Sequence, residues 1–348
     1  MKCRLCVLTT IGRRESNQDR ACALTTSIGG IPAVVLAVAD GMGGMRDGDR
    51  AAEIAIATVR RYADEVFPRS SAELASLKRL LHGMFQEANQ AVYGFAQLSS
   101  EPGRSGTTLV VCLAFNNQFV VAHAGDSRCY YVNQREIRQL TEDHSKVQDL
   151  VRQGSMTAEA ARRSPYRNQL LNSVGQDGKI RVDIYSEGDW GVPTNEPFLL
   201  LLSSDGLHGE LPDEEIFGWV HGTKTIEDAA RSLLSAAIQG GSTDNVTVAA
   251  VECGLLRRNG PKRRLPLLPE ILLAQPQDSN GERLPDGSSH RERIRRRLLM
   301  FSWCVLFSLL LAAAYFLWRS KEDTRRGELD SEFVRPILLD IGYRLFNG

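Results

Sequence analysis

Net charge is the first thing this 348-residue chain lacks: 42 Lys and Arg offset 42 Asp and Glu. That balance leaves no electrostatic footprint for a nucleic acid or another polyanion, and no nucleic-acid partner is expected. A disulfide framework is lacking too. Seven cysteines, an odd number, are scattered as Cys3, Cys6, Cys22, Cys112, Cys129, Cys253 and Cys304, which points to reduced thiols in a cytosolic compartment. Cys3 and Cys6 form a C-x-x-C, but no second Cys or His pair follows at zinc spacing, so neither a zinc site nor a redox motif is expected. The N-terminus has no apolar run of the kind a secretory signal needs, and no internal repeat is visible.

Against these absences stands one long uncharged segment. Residues 298–318, LLMFSWCVLFSLLLAAAYFLW, run for 21 residues without a charge, long enough to cross a bilayer as a helix. Trp303, Tyr315 and Trp318 lie toward its ends, as interfacial anchors do. The flanking RERIRRR and RSKEDTRR argue against burial in a soluble core. Upstream, residues 254–297 shift to Pro, Gly, Ser and Arg with 11 basic against 5 acidic residues, a linker and basic juxtamembrane segment rather than a second core. Residues 319–348 carry 6 charges of each sign and are too few for a typical folded sensory domain, although FVRPILLDIGYRLF has an amphipathic pattern suited to docking on a membrane or a partner. Arginines at 291–297 outweigh Arg319, Lys321, Arg325 and Arg326, so the positive-inside rule puts residues 1–253 in the cytoplasm and the tail on the far side. The expected organisation is a globular domain over 1–253, a linker over 254–297, a transmembrane helix over 298–318 and a short tail over 319–348.

Within 1–253, apolar spacing predicts helices near 50–67 and 71–97. Strands are expected near 34–39, 107–115, 118–124, 128–133, 180–186, 197–203 and 245–252. The strands between 107 and 141 follow one another without helices, and short turns such as FNNQ pair them antiparallel. An α+β fold with two central antiparallel sheets flanked by helices fits that order better than a parallel βαβ wheel.

One pattern recurs along these strands. Ala33 to Ala39 are all apolar, and Asp40 follows with glycines at 41, 43 and 44. FVVAHAGDSR ends another run in Asp126, FLLLLSSDGL ends one in Asp205, and GGSTDNVTVAAV places Asp244 just before a run. A single Asp-Gly after a strand is usually a turn. Four acids at strand ends converge on one sheet edge, where without matching cations they would repel one another in a partly dry site. Hard divalent cations, Mg²⁺ or Mn²⁺, offset such a cluster because they prefer carboxylate, carbonyl and water oxygens. Gly41 lets a backbone carbonyl approach a cation where a Cβ would obstruct it, and coordination would then fix a loop too glycine-rich to be held by packing.

Seven motifs now fall in a telling order: GRRESNQD (12–19), VADGMGG (38–44), SGTTL (105–109), GDSR (125–128), LTEDHS (140–145), SSDGL (203–207) and STDN (242–245). Over residues 7–252 the chain resembles the metal-dependent protein phosphatase family, type 2C, in its bacterial branch. The resemblance implies a protein serine/threonine phosphatase with an α-β-β-α sandwich and two or three divalent cations, Mn²⁺ or Mg²⁺. Asp40 looks like the carboxylate that bridges two cations, with Gly41 contributing its carbonyl, and Asp205 and Asp244 resemble the ligands that complete the shell of the first cation. Asp126 resembles the ligand of a third cation shared with Asp205. Arg14 resembles the guanidinium that holds the substrate phosphate, a planar fork suited to bidentate contact. Arg14, Asp40 and Asp205 would then carry catalysis, in which a hydroxide bridging the cations attacks phosphorus directly. Residues 145–179, with Arg152, Arg162, Arg163 and Arg167, occupy the place of the family's mobile substrate flap; a solvated basic helix is the alternative.

The chain departs from the family at two positions. Many relatives have Glu where Gln18 stands, which weakens one cation's shell, and animal relatives have a His in place of Met42, which carries no proton to give. Asp19 is either an acceptor behind the ligands or a structural acid. Ser105, Thr107 and Thr108 are expected to hydrogen-bond backbone near the site, and His123 and His144 to be core or loop hydrogen-bonders. The implied partners are phosphorylated proteins, among them Ser/Thr kinases and their substrates, acted on from the cytoplasmic face of the inner membrane by a single-pass protein. A catalytically silent phosphoprotein-binding scaffold is the rival, and the survival of all four acids argues against it.

Overall fold

The computed structural model describes residues 3–43, 47–98 and 105–258. The expected linker, the span at 298–318 and the tail lie outside the described residues apart from the linker's first five positions. Among the described residues no helix is long and apolar enough to cross a membrane.

Three strands open the fold: β1 (Cys3–Thr10), β2 (Asp19–Ile28) and β3 (Ile31–Met42). Helices α1 (Asp47–Arg61) and α2 (Leu74–Gln97) follow, then β4 (Gly106–Thr107), β5 (Leu109–Phe115), β6 (Gln118–Ala124), β7 (Arg128–Val132) and β8 (Ile137–Gln139). Two short helices, α3 (Lys146–Arg152) and α4 (Ala158–Arg162), precede β9 (Asp183–Ser186) and α5 (Glu187–Trp190). The last segments are β10 (Phe198–Ser203), α6 (Asp205–His208), α7 (Asp213–His221), α8 (Ile226–Gly240) and β11 (Val246–Cys253). One sheet has the order β1-β11-β10-β7-β8 and the other β2-β3-β5-β6-β9, with β4 pairing the end of β3. Neighbouring strands are antiparallel throughout.

The apolar run in β3 shows why the sheets stack. Ala33, Val35, Ala37 and Ala39 share a core with Ala55, Val59, Leu77 and Leu81 of α1 and α2. Alternate residues Val34, Leu36 and Val38 join Leu200, Leu202, Ala249 and Val251 of the other sheet. A strand covered on both faces has no polar side to show, so it reads as a continuous apolar stretch. A third core joins Leu199, Leu201, Val248 and Ala250 to Ile216 and Leu233 of α7 and α8. The layers run helix, sheet, sheet, helix, as the sequence led us to expect. The expectation did not include β1 and β2 as strands: CRLCVLTT and DRACALTTSI interleave Arg, Thr and Ser with apolar residues and lack a clean period.

The chain stays docked past the end of β11. Arg258 Nη2 donates to Glu252 Oε1 at 2.9 Å and Arg258 Nη1 to the Val220 carbonyl at 2.6 Å, while Arg257 N donates to Gln134 Oε1 at 2.9 Å. The Arg258 and Glu252 side chains are only 6% and 2% exposed. Removing one partner of such a buried pair strands the other charge in a dry site. Arg258→Ala is therefore expected to destabilise the domain by about 3–5 kcal/mol, measured by urea unfolding; a loss within the error of the method contradicts the pairing.

Candidate active site

Asp40, Asp126, Asp205 and Asp244 line one cavity of about 500 Å³, together with Arg14, Gly41, Gln18 and Met42. The topology explains their meeting. Strands β3, β6 and β10 run out to the same edge of the sandwich and β11 enters from it, so an acid at each of those ends projects into shared space. Asp40 lies near the end of β3, Asp126 between β6 and β7, Asp205 at the start of α6, and Asp244 just before β11.

Hydrogen bonds to its backbone fix Asp40 within β3 before any coordination; the glycine-rich loop that follows lies partly outside the described residues. Asp40 N donates to Thr108 Oγ1 at 2.9 Å, and the Asp40 carbonyl accepts from Thr108 N and Thr107 Oγ1, each at 2.9 Å. The two threonines thus do hold backbone beside the site. Glycine at 41 has a reason the motif alone did not give. A Cβ there would lie 2.1 Å from the Gly48 carbonyl oxygen and 2.8 Å from that of Gln18, so α1 can start against the strand only if position 41 is bare.

Sequence reasoning missed Asn245. Its Nδ2 donates to the carbonyls of Ile11 (2.9 Å) and Ser16 (3.0 Å), and its Oδ1 accepts from Gln18 N at 2.9 Å. This buried amide ties down the loop that presents Arg14, and Arg14 Nη2 donates to Asp244 Oδ2 at 2.6 Å. The available signal was an Asn next to an acid in STDN. Asp19 sits opposite Asp40 in the β2–β3 register, 1% exposed, and accepts from Ser204 Oγ at 2.7 Å across the two sheets. Gln18 reaches the Gly43 carbonyl through Nε2 at 3.3 Å. Arg152, Arg162, Arg163 and Arg167 do not line this cavity; their stretch contributes Asn168 and Leu170 to it. Arg162 and Arg167 border a neighbouring cavity of about 310 Å³ that shares Arg14 and three of the acids.

Burial, and after it the neighbouring acids, pushes the Asp40 and Asp126 carboxyls well above their usual range. The same causes raise Asp205 to about 6. Burial raises Asp19 to about 7 despite hydrogen bonds that oppose the shift. Among the described residues Arg14 is the one cationic side chain lining the cavity. Asp19 Oδ1 and Asp205 Oδ1 are buried without a hydrogen-bond partner. An all-oxygen donor set, short of positive charge and with unpartnered carboxylate oxygens, fits hard divalent cations.

A second group, His123, His144 and Asp183, brings donor atoms within 4.8 Å of one another. Its proton positions disfavour a cation. Asn172 is oriented by Arg181, whose N donates to Asn172 Oδ1 and whose carbonyl accepts from Nδ2, both at 3.0 Å. His144 Nδ1 accepts from Asn172 Nδ2 at 2.7 Å and from Gly125 N at 3.3 Å. The network therefore assigns the ring proton to Nε2, which faces Asp183 Oδ2 at 3.2 Å and has no lone pair to offer. His144 is the hydrogen-bonder expected. His123 is not: neither ring nitrogen has a partner, burial pushes its pKa down to about 3, and it packs edge-on against His144.

A family model for protein phosphatase 2C matches residues 9–239. The serine/threonine phosphatase stp of Listeria welshimeri is 34% identical over 226 residues, covering 64% of this chain and 86% of that protein. The solved serine/threonine phosphatase of S. agalactiae superposes with a TM-score of 0.64 at 31% identity, covering 72% of this chain and 99% of that one. The catalytic domain of the serine/threonine protein phosphatase PstP, solved in complex with two manganese ions, gives 0.59 at 26% identity, with 72% and 97% covered.

The raised carboxyls make a pH prediction. Between the usual carboxylate pKa of about 4 and the folded values near 6 to 7, the folded protein holds protons that the unfolded chain has released. The stability these groups contribute is thus present at low pH and lost as pH rises through that window. Bound cations take the place of those protons, so the rise in Tm on adding Mn²⁺ should be small at about pH 5 and grow toward about pH 7.5. Thermal unfolding with and without Mn²⁺ measures it, and a pH-independent shift contradicts the assignment.

Proposed function

Because the chain belongs to the protein phosphatase 2C family, we propose that it dephosphorylates phosphoserine and phosphothreonine in proteins by direct attack of water on phosphorus, without a phosphoenzyme. It is a protein serine/threonine phosphatase, and phosphoproteins are its substrates. The observation that carries the chemistry is the meeting of four acids from four distant segments in one cavity beside a single arginine. In this reading Asp40, Asp205 and Asp244 hold divalent cations with the Gly41 carbonyl, and Asp126 with Asp205 holds a further one. Such cations, when bound, make a coordinated water more acidic and offset charge on the phosphoryl oxygens.

The chain's own side chains do the rest. Thr107 and Thr108 keep the Asp40 backbone fixed, so its carboxylate needs little rearrangement to accept a cation. The Arg14 side chain is 54% exposed and bonded to Asp244. With Asp244 engaged in holding a cation, the Arg14 guanidinium fork would be free to grip two oxygens of an incoming phosphate. Met42 at the wall has no proton to give. A silent phosphoprotein-binding scaffold is disfavoured, since the full set of acids and the arginine is retained.

The remaining features of the reading rest on sequence. Residues 1–253 would form the cytoplasmic catalytic domain, with the chain docked as far as Arg258. Residues 254–297 would lead to a membrane helix at 298–318, and 319–348 would lie beyond the inner membrane. Ser/Thr kinases and their targets would be the natural opponents.

Hydrolysis of a phosphothreonine peptide should require Mn²⁺ or Mg²⁺ and stop with EDTA. Asp40→Asn and Asp205→Asn should each lower kcat by at least about a hundredfold, and Arg14→Ala should chiefly raise KM for the peptide. Near-normal turnover by Asp40→Asn would sink the assignment. The full chain should partition with membranes and need detergent for release; recovery in the soluble fraction contradicts the anchor at 298–318.

A further inference from the structure

Strand β1 is the outer strand of its sheet and pairs with β11 in eight registered rungs, from Cys3 opposite Cys253 to Thr10 opposite Val246. Residues directly opposite on antiparallel strands project from the same face. On the first rung the two sulfurs lie 3.3 Å apart. Both cysteines are reduced, Cys3 exposed and Cys253 buried at 5% exposure.

The other described cysteines are all buried, so a dissolved oxidant does not reach them directly. Cys6, which shares the C-x-x-C with Cys3, projects from the opposite face of β1 into the core beneath α8. Cys22 lies in the core under α1 and α2, and Cys112 and Cys129 are fully buried between the sheets. Cys3 is the exposed cysteine among the described residues, so a dissolved oxidant meets it first.

We propose that Cys3 and Cys253 are an oxidative modification site, joined into a cross-strand disulfide by a low-molecular-weight disulfide of the glutathione class. The Cys3 thiolate attacks one sulfur of the oxidant, forming a mixed disulfide and expelling one thiolate. The Cys253 thiolate then attacks the Cys3 sulfur, forming the protein disulfide and expelling the second. Two protein thiols are oxidised, one small disulfide is reduced to two thiols, and the two thiol protons pass to the expelled thiolates. Burial holds the Cys253 thiol far above its usual pKa, which makes the second step the slow one. In a reducing cytosol the dithiol is the resting state and the bond the response to oxidant.

The effect follows from what β1 carries. Beyond its last rung, Gly12 packs so tightly on the Asp244 carbonyl that a Cβ would lie 2.1 Å from that oxygen, and Arg14 bonds the Asp244 side chain. A covalent clasp on the first rung keeps the outer strand from peeling away, and Arg14 with it. The bond spans a sequence separation of 250 residues and so restricts the unfolded chain strongly.

The full chain in detergent, as wild type and as Cys3→Ser, is purified reduced and then equilibrated with glutathione disulfide. Peptide mass mapping is expected to find Cys3 linked to Cys253, and Tm of the wild type to rise by roughly 10 °C. Dithiothreitol should reverse the rise, and Cys3→Ser should lack it. Cys253→Ser should trap glutathione on Cys3 without the rise. A bond mapped to any other pair overturns the proposal, as does a lasting glutathione adduct on wild-type Cys3 with Cys253 still reduced, or an unchanged Tm in the linked protein. Because the readouts are mass and melting temperature, the result stands apart from the phosphatase mechanism.

Discussion

Mutual repulsion among buried carboxylates is the constraint around which this domain is arranged. Asp40, Asp126, Asp205 and Asp244 come from four segments far apart in sequence, and Asp19 lies directly behind Asp40. Raised carboxyl pKa values at Asp40, Asp126 and Asp205 are the electrostatic record of that crowding, with burial the larger cause and the neighbouring acids the next. Arg14 alone cannot balance it. The cluster is stable only with protons or with cations, and near neutral pH the cations win because each brings two charges and matches oxygen donors.

The scaffold meets this cost by separating its tasks. Three apolar layers hold the sandwich together, and both sheets present covered faces along nearly their whole length. Polar work is confined to one edge, where hydrogen bonds hold the segments that carry it. Thr107 and Thr108 secure Asp40, Asn245 secures the Arg14 loop, and Ser204 links Asp19 to the start of α6. Fixing the backbone while leaving carboxylate oxygens unpartnered is a sound arrangement for ion binding, since the ion then orders side chains rather than loops.

The acids were legible in the sequence because each one stands at the boundary of an apolar run, a contrast that needs no knowledge of the fold. The helix-sheet-sheet-helix layering was legible for a similar reason, since β5, β6 and β7 follow one another too closely for helices to intervene. Helix α8 was not among the expected helices, although Thr225 caps an apolar series at Ile226, Ala230, Leu233 and Ala237. What stayed hidden depends on register between distant strands. The pairing of Asp19 with Asp40, the clash that forces glycine at 41, and the reach of Asn245 to Ile11 and Ser16 exist only once the strands are aligned. The His144 tautomer is subtler still, because it is set by Asn172, which is itself set by the Arg181 backbone.

Anomalous scattering at the manganese edge, from crystals of the phosphatase grown with Mn²⁺, bears most directly on the central claim. The account predicts two or more peaks in the carboxylate cavity, coordinated by Asp40, Asp205 and Asp244, with the Gly41 carbonyl in one shell. Peaks at His123, His144 and Asp183 with an empty carboxylate cavity would contradict it.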